Sequence, residues 1–259
     1  MRPSLQDTVV LVTRPREEGE DLAAMLEARG ATVLLAPAIE LAPAPRGELD
    51  RAANELMAGG YAWAVFTSKA GVEALMSRLP PGAAVPARVG AVGEGTAEAL
   101  RGFGVDPDLV PTAFTTAALG RAFPKGSGRV LLARADIAPD GLEAALAAKG
   151  WTPVRVDAYR TRLVRSLPGG VGERLLAGEV DAVTFTSVST VQGFLAAAGT
   201  ILSSAGRVPV SVCIGPVTAE AARAAGLTVA GVAQPHTIEG LVKALERALR
   251  SPRRAKKES

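Results

Sequence analysis

The strongest constraint on this sequence is that it contains itself twice. Leu11–Val33 (LVTRPREEGEDLAAMLEARGATV) aligns with Leu131–Pro153 (LLARADIAPDGLEAALAAKGWTP) at an offset of 120. That alignment sets Arg14 on Arg134, Leu22 on Leu142, Leu26 on Leu146 and Gly30 on Gly150. Tyr61–Ser68 then meets Val180–Ser187 at an offset of 119, and Val89–Gly104 meets Ser211–Gly226 at 122. The last block places Gly93 on Gly215 and Thr96 on Thr218, and Thr115–Leu119 corresponds to Thr237–Leu241 at the same offset. Three blocks in one order at near-constant spacing indicate duplication, and each copy must then be built from the same elements. With 259 residues in all, the copies make two domains of ordinary size.

Within each copy the short apolar runs Val9–Val12, Ala64–Phe66, Arg88–Val92, Val130–Leu132, Ala182–Phe185 and Val210–Ile214 read as buried parallel strands. A small or polar turn follows each, and then an Ala/Leu/Glu-rich amphipathic stretch. These stretches stop at Gly30, Gly104, Gly150 and Gly226, the residue type that best accepts the left-handed backbone past a helix end. Alternation of this kind predicts two similar open parallel-sheet α/β domains. Right-handed crossovers put their strand-to-helix turns at the carboxyl edge of each sheet. Two tracts break the pattern at equivalent places, Ala36–Arg46 and Tyr159–Gly170; rich in Pro and Arg, they read as interdomain connectors. Two assignments stay open: each repeat folds contiguously, or the chain crosses at both tracts so that the first βα segment joins the last part of the chain.

Composition narrows the chemistry. One cysteine, Cys213, excludes an internal disulfide and any cysteine-based zinc or iron–sulfur site; inside a strand, it reads as core. One histidine, His236, excludes two-histidine metal sites, and in QPHTIEG the following Thr237 is the better helix cap. The net charge of +3 comes from the end of the chain, where Arg250–Ser259 holds five basic residues and one acidic. The body is close to neutral and poor in aromatics, which argues against nucleic-acid binding, and residues 251–259 read as a solvated, disordered basic tail. Met1–Gln6 is polar and no run of 18 apolar residues occurs, so neither a signal peptide nor a membrane span is expected. These features suit a cytoplasmic protein.

Ligands of open parallel sheets sit at the carboxyl ends of the strands. Thr13 and Arg14 lie there after the first strand, then Thr67 and Ser68, then the Gly93–Thr96 turn. The second copy offers Arg134, Thr186, Ser187, and the Gly215–Thr218 turn. Small hydroxyl residues and glycines opening helices expose backbone N–H groups that bind carboxylates or phosphates, although Ser and Thr there also serve as plain caps. The GxGxxG and GxxxxGK[ST] spacings of nucleotide sites are absent, as is a GxSxG nucleophile elbow.

The ordered set VLVTRP, VFTSKAGVEAL, VGAVGEGTAEAL, LLARAD, Tyr159, VTFTSVSTVQGF and CIGPVTAEAARAAGL resembles the uroporphyrinogen-III synthase family over about Val9 to Leu249. The resemblance implies two α/β domains joined by two linker strands with a cleft between them, one domain being discontinuous. It therefore favours the crossing assignment: residues 1–38 plus 172–250, an inserted domain at 45–160, and connectors at 39–44 and 161–171. It implies a cyclising hydro-lyase of haem biosynthesis that closes hydroxymethylbilane, a linear tetrapyrrole, with inversion of the last ring and loss of water. No metal or organic cofactor is implied; a monomer is expected, with transient contact to the preceding pathway enzyme. By the same match Tyr159 is the general acid, while Thr13, Arg14, Ser68, Thr96, Arg134, Ser187 and Thr218 contact substrate. Glu94, an acidic residue in the lip of an anion site, departs from the common pattern. The competing expectation is a non-catalytic two-domain module that binds a tetrapyrrole or a small anion.

Overall fold

The computed structural model describes residues 4–250; the basic tail at 251–259 lies outside them. Two compact units emerge, one formed by the chain up to Glu40 and from Arg162 onward, the other by Leu41–Thr161.

The first unit contains β1 (Val9–Val12), α1 (Arg16–Glu27), β2 (Thr32–Leu35), α7 (Val171–Leu176), β8 (Ala182–Phe185), α8 (Val188–Ser204), β9 (Val210–Cys213), α9 (Pro216–Ala224), β10 (Val229–Val232) and α10 (Ile238–Arg250). Its sheet runs in the order β10-β9-β8-β1-β2 with every neighbouring pair parallel. Strand side chains alternate between faces with period two, and here both faces are dry. Leu11, Val183, Phe185 and Cys213 pack against Leu175, Phe194 and Ala219 from α7, α8 and α9. Val10, Val12, Ala182 and Val212 pack against Leu22, Leu26, Leu241 and Leu245 from α1 and α10. This two-sided burial is why the strands read as continuous apolar runs. Burying each such large side chain contributes roughly 1.5–3 kcal/mol.

The second unit contains α2 (Arg46–Met57), β4 (Trp63–Phe66), α3 (Lys69–Met76), β5 (Arg88–Ala91), α4 (Glu94–Gly102), α5 (Thr116–Ala122), β6 (Arg129–Ala135), α6 (Gly141–Ala147) and most of β7 (Thr152–Leu163); β3 (Ile39–Pro43) lies at its boundary. The sheet order is β3-β7-β6-β4-β5. Here β4, β6, β7 and β5 repeat β8, β1, β2 and β9 of the other sheet, while the counterpart of β10 shrinks to a single parallel bridge between Gly90 and Leu109. Ala64, Phe66, Leu131 and Ala133 face α2, α3 and α4, and Trp63, Val65, Val130 and Leu132 face α5 and α6.

The four glycines expected to end helices all have positive φ: +88° at Gly30, +78° at Gly104, +94° at Gly150 and +80° at Gly226. The two tracts read as connectors are more regular than their composition suggests. The first contains β3, and β7 extends through Tyr159 to Leu163 inside the second. Proline is tolerated in such strands at edges and ends, so a Pro-rich tract is no bar to extended backbone.

Candidate functional site

The helices that follow β4 and β8 start in one way, and those that follow β5 and β9 in another. Ser68 caps α3, its Oγ accepting the Gly71 N–H at 3.1 Å. Ser187 caps α8 in a capping box with Thr190, a reciprocal arrangement that satisfies two orphan amides. The α4 and α9 caps are Gly93 and Gly215, which have no side chain to accept an amide. Glu94 and Gly95 in the first helix, and Val217 and Thr218 in the second, therefore keep amides with no capping side chain. Those amides and the helix dipole make a ready anion site.

Thr96 and Thr218 occupy equivalent positions, three residues past the glycine caps. Both are largely buried, and neither hydroxyl has a hydrogen-bond partner among the described residues. Thr67 and Thr186, half-buried at the ends of β4 and β8, likewise repeat one another. Glu94 is drawn along its own helix by Arg101 at 2.6 Å, which offsets its charge at the α4 start.

Three sequence-predicted residues are placed differently from the expectation. Thr13 is fully buried, and its hydroxyl donates to the Thr184 carbonyl at 2.7 Å. Arg14 pairs with Glu18 one helical turn on. Arg134 is 2% exposed and donates through Nη1 to both Glu143 carboxylate oxygens, at 2.7 and 2.6 Å, and to the Pro139 carbonyl at 3.0 Å. Both guanidiniums are thus neutralised inside their own units, and Arg134 serves to hold the loop after β6. Spacing showed both residues at a strand end, and Glu18 stands only four residues from Arg14, but it could not show that Arg134 meets Glu143 on the following helix.

Tyr159, half-buried on β7, donates its hydroxyl proton to Ser68 Oγ at 3.0 Å. Asp136, in the same LLARAD block as Arg134, fixes the strand around it. Its N–H donates to the Tyr159 carbonyl at 3.1 Å, and its Oδ1 accepts the Thr161 N–H at 2.9 Å. Arg155 completes this frame by donating to the carbonyls of Ala135, Asp136 and Ala138. In the other unit His236 Nδ1 lies 2.8 Å from the Ala233 carbonyl, so that nitrogen carries the proton. The His236 ring sits beside Gly215, and Thr237 caps α10 through the Gly240 N–H.

Sequence reasoning missed the apolar exposure at these same edges. Phe114 packs over Gly93 while staying 49% exposed, and Val217, in the first turn of α9, is 69% exposed. No pattern separates such residues from core ones until the fold is known. Among the described residues, no group of His, Cys, Asp and Glu could hold a metal ion, and no helix is long and apolar enough to cross a membrane.

The family model described as uroporphyrinogen-III synthase HemD matches residues 20–243. The chain is 35% identical over 255 residues to the porphyrin biosynthesis protein HemD of Ruminiclostridium josui, covering 95% of this chain and 49% of that protein. It therefore spans about half the length of that relative. It is 29% identical to the uroporphyrinogen-III synthase of Synechococcus elongatus, covering 92% of this chain and 94% of that one. Among solved structures it is similar to a mutant uroporphyrinogen III synthase of Thermus thermophilus, at 26% identity and a TM-score of 0.65, over 94% of this chain and 99% of that one. Fold and site together define a duplicated parallel α/β protein whose glycine-capped helix starts suit an anionic ligand. The chain belongs to the uroporphyrinogen-III synthase HemD family.

Proposed function

We propose that this chain is a cyclising lyase of haem biosynthesis, converting hydroxymethylbilane to uroporphyrinogen III with inversion of the terminal pyrrole ring and loss of water. Beyond family membership, the observation that carries the reading is the doubled helix start. Gly93 with Thr96 and Gly215 with Thr218 present the same uncapped amides and unpartnered hydroxyls in both copies. A substrate bearing many carboxylates is bound by such donors at low desolvation cost to the protein. Thr67 and Ser68 in one copy, and Thr186 and Ser187 in the other, extend the polar edge of their own sheet.

In the proposed reaction the C–O bond of the hydroxymethyl group breaks while the pyrrole nitrogen lone pair stabilises the cation left behind. The departing oxygen takes a proton and leaves as water. The terminal ring attacks through its substituted carbon, the spiro species fragments, and the ring recloses inverted. A pyrrole carbon then loses the proton that restores the acid. Tyr159 supplies that acid through its phenol hydroxyl, which donates to Ser68 Oγ at 3.0 Å. Much of the acceleration comes from holding a flexible linear chain in one fold. The pyrroles supply the electron pair, so the proposed steps draw on no cofactor.

We further assign the protein to the cytoplasm as a monomer that receives its substrate by transient contact with the preceding pathway enzyme. Residues 1–38 with 172–250, and 45–160, are taken as its domains. Incubation with freshly generated hydroxymethylbilane, followed by separation of product isomers, tests the activity. Type III product is expected; type I product alone, the spontaneous outcome, would overturn it.

A further inference from the structure

Arg14 and Arg134 are already paired with Glu18 and Glu143, so cations that carry no such partner are the better anchors for a polyanionic ligand. The run from Ala158 to Gly172 holds Arg160, Arg162 and Arg165 and no acidic residue. Arg162 and Arg165 are exposed, and neither has an ion-pair partner among the described residues. Together with Leu163 and Ala196 they line a groove of about 790 Å³.

Close backbone packing builds this groove. The Val164 N–H, between the two arginines in sequence, donates to the Ala38 carbonyl at 3.0 Å. On the other side of that carbonyl lies Gly193 of α8, where a Cβ would overlap the Ala38 oxygen. The end of β7 and α8 are thus both held against the same peptide. Ala196, one turn beyond Gly193, keeps the wall low. Over its 17 residues α8 carries no charged side chain, so the helix brings no counterion to the guanidiniums. Leu163 leaves 42% of its surface exposed beside them.

Two permanently charged forks beside an apolar wall select a particular chemistry: carboxylates carried on the rim of an apolar, ring-like frame. Arg engages a carboxylate through paired N–H donors, and the Leu163 and Ala196 surfaces take the frame. We propose that the Arg162–Arg165 groove is a carboxylate-binding subsite that engages the acidic side arms of the tetrapyrrole substrate. This rests on the activity proposed above, and it assigns to the β7 extension the cationic role that Arg14 and Arg134 do not fill.

The test combines kinetics on hydroxymethylbilane with equilibrium binding of two stable porphyrins, the octacarboxylate uroporphyrin and the tetracarboxylate coproporphyrin, at low and high salt. Arg162→Gln/Arg165→Gln should raise KM, and the Kd for uroporphyrin, by about tenfold, the sum of two modest charge pairs. The effect on coproporphyrin should be smaller, and salt should erase most of the difference. Arg162→Lys/Arg165→Lys should recover much of the affinity with the fold equally intact by circular dichroism. A chain that makes type III isomer while the Gln variant keeps its KM and both Kd values would overturn the subsite. A chain that makes only type I isomer, yet binds uroporphyrin in an Arg162- and Arg165-dependent way, would overturn the activity and leave the subsite standing.

Discussion

The Tyr159 hydroxyl donates to Ser68 Oγ at 3.0 Å, joining two residues that stand 91 apart in the chain. Ser68 Oγ also accepts the Gly71 N–H, so both of its lone pairs are engaged and its own proton is left to donate outward. Gly71 is needed for this geometry, because a Cβ there would press on the Ala133 carbonyl at 2.8 Å. The duplicated unit provides a control. Ser187 adopts nearly the same backbone angles as Ser68, yet its Oγ meets Ser189 at 2.9 Å and Thr190 at 3.4 Å. Only the Ser68 copy has a phenol at this position.

That asymmetry predicts different behaviour for the two serines. Tyr159→Phe should reduce kcat by roughly 10²-fold, the low end for general acid catalysis, with KM little changed. Ser68→Ala should reduce kcat by about tenfold by loosening the phenol, whereas Ser187→Ala should cost about 1 kcal/mol of stability as a lost helix cap. Steady-state kinetics together with urea midpoints check all three. Equal kinetic losses in the Ser68 and Ser187 variants would remove the special role of the Tyr159 contact.

Arg134 is expected to fail as a binding residue and to matter as a structural one. Its guanidinium is nearly inaccessible, and Glu143 is its carboxylate partner. Removing one member of a buried pair costs up to about 3–5 kcal/mol, although Arg155 Nη1 at 3.8 Å still faces the Glu143 carboxylate. Arg134→Met should therefore lower the urea midpoint sharply, while the folded fraction keeps an unchanged KM. Arg134→Met/Glu143→Leu should recover much of the loss, since an apolar replacement of both partners leaves no unpaired charge. A large KM increase in a variant of normal stability would return Arg134 to the substrate site.

What could be read from the sequence follows from what is local. Strand runs, helix-ending glycines and the Ser68 and Ser187 caps depend on a few neighbouring residues, and the duplication made each visible twice. Ion pairing between elements is not local: Arg14 and Arg134 looked alike as strand-end cations, and while Glu18 stands only four residues from Arg14, only the folded chain shows that Arg134 meets Glu143 on the next helix. The sequence left two ways of pairing the repeats, because β1 bonding to β8 across 171 residues, as in Thr13 to Thr184, leaves no mark on either segment. Exposed Phe114 and Val217 were unreadable for the same reason. The Pro-rich composition of Ala36–Arg46 hid β3, because edge backbone tolerates proline.

Alkaline titration should separate Tyr61 from the rest of the protein. Burial first, and then the hydrogen bond to Glu55 at 2.6 Å, push its phenol up to about 12. Between pH 10 and 12 the native state keeps a proton that the unfolded state has lost. Stability from this group is therefore complete below pH 10 and falls as pH rises through 12. Cys213, pushed up to about 11 by burial, acts in the same direction between pH 9 and 11. The urea midpoint of the native chain should fall more steeply above pH 10 than that of Tyr61→Phe. Parallel profiles would show that the Tyr61 proton is not held.

Helix α8 contains a matched pair of glycines with opposite expected behaviour. A Cβ at Gly193 would overlap the Ala38 carbonyl oxygen, while one at Gly199 meets nothing within 4 Å. Neither has a positive φ, so only space and helix propensity distinguish them. Gly199→Ala should stabilise by about 0.5–1 kcal/mol through the restricted unfolded chain and better helix propensity. Gly193→Ala must push α8 off the Ala38 peptide and should destabilise by about 1–3 kcal/mol. Because Ala38 also receives the Val164 N–H, the shift should reach the groove at Arg162 and Arg165 and weaken uroporphyrin binding. Gly199→Ala, which disturbs no neighbour, should leave that binding unchanged. Urea denaturation and porphyrin titration of the two variants measure both effects, and equal responses at the two positions would refute the packing argument.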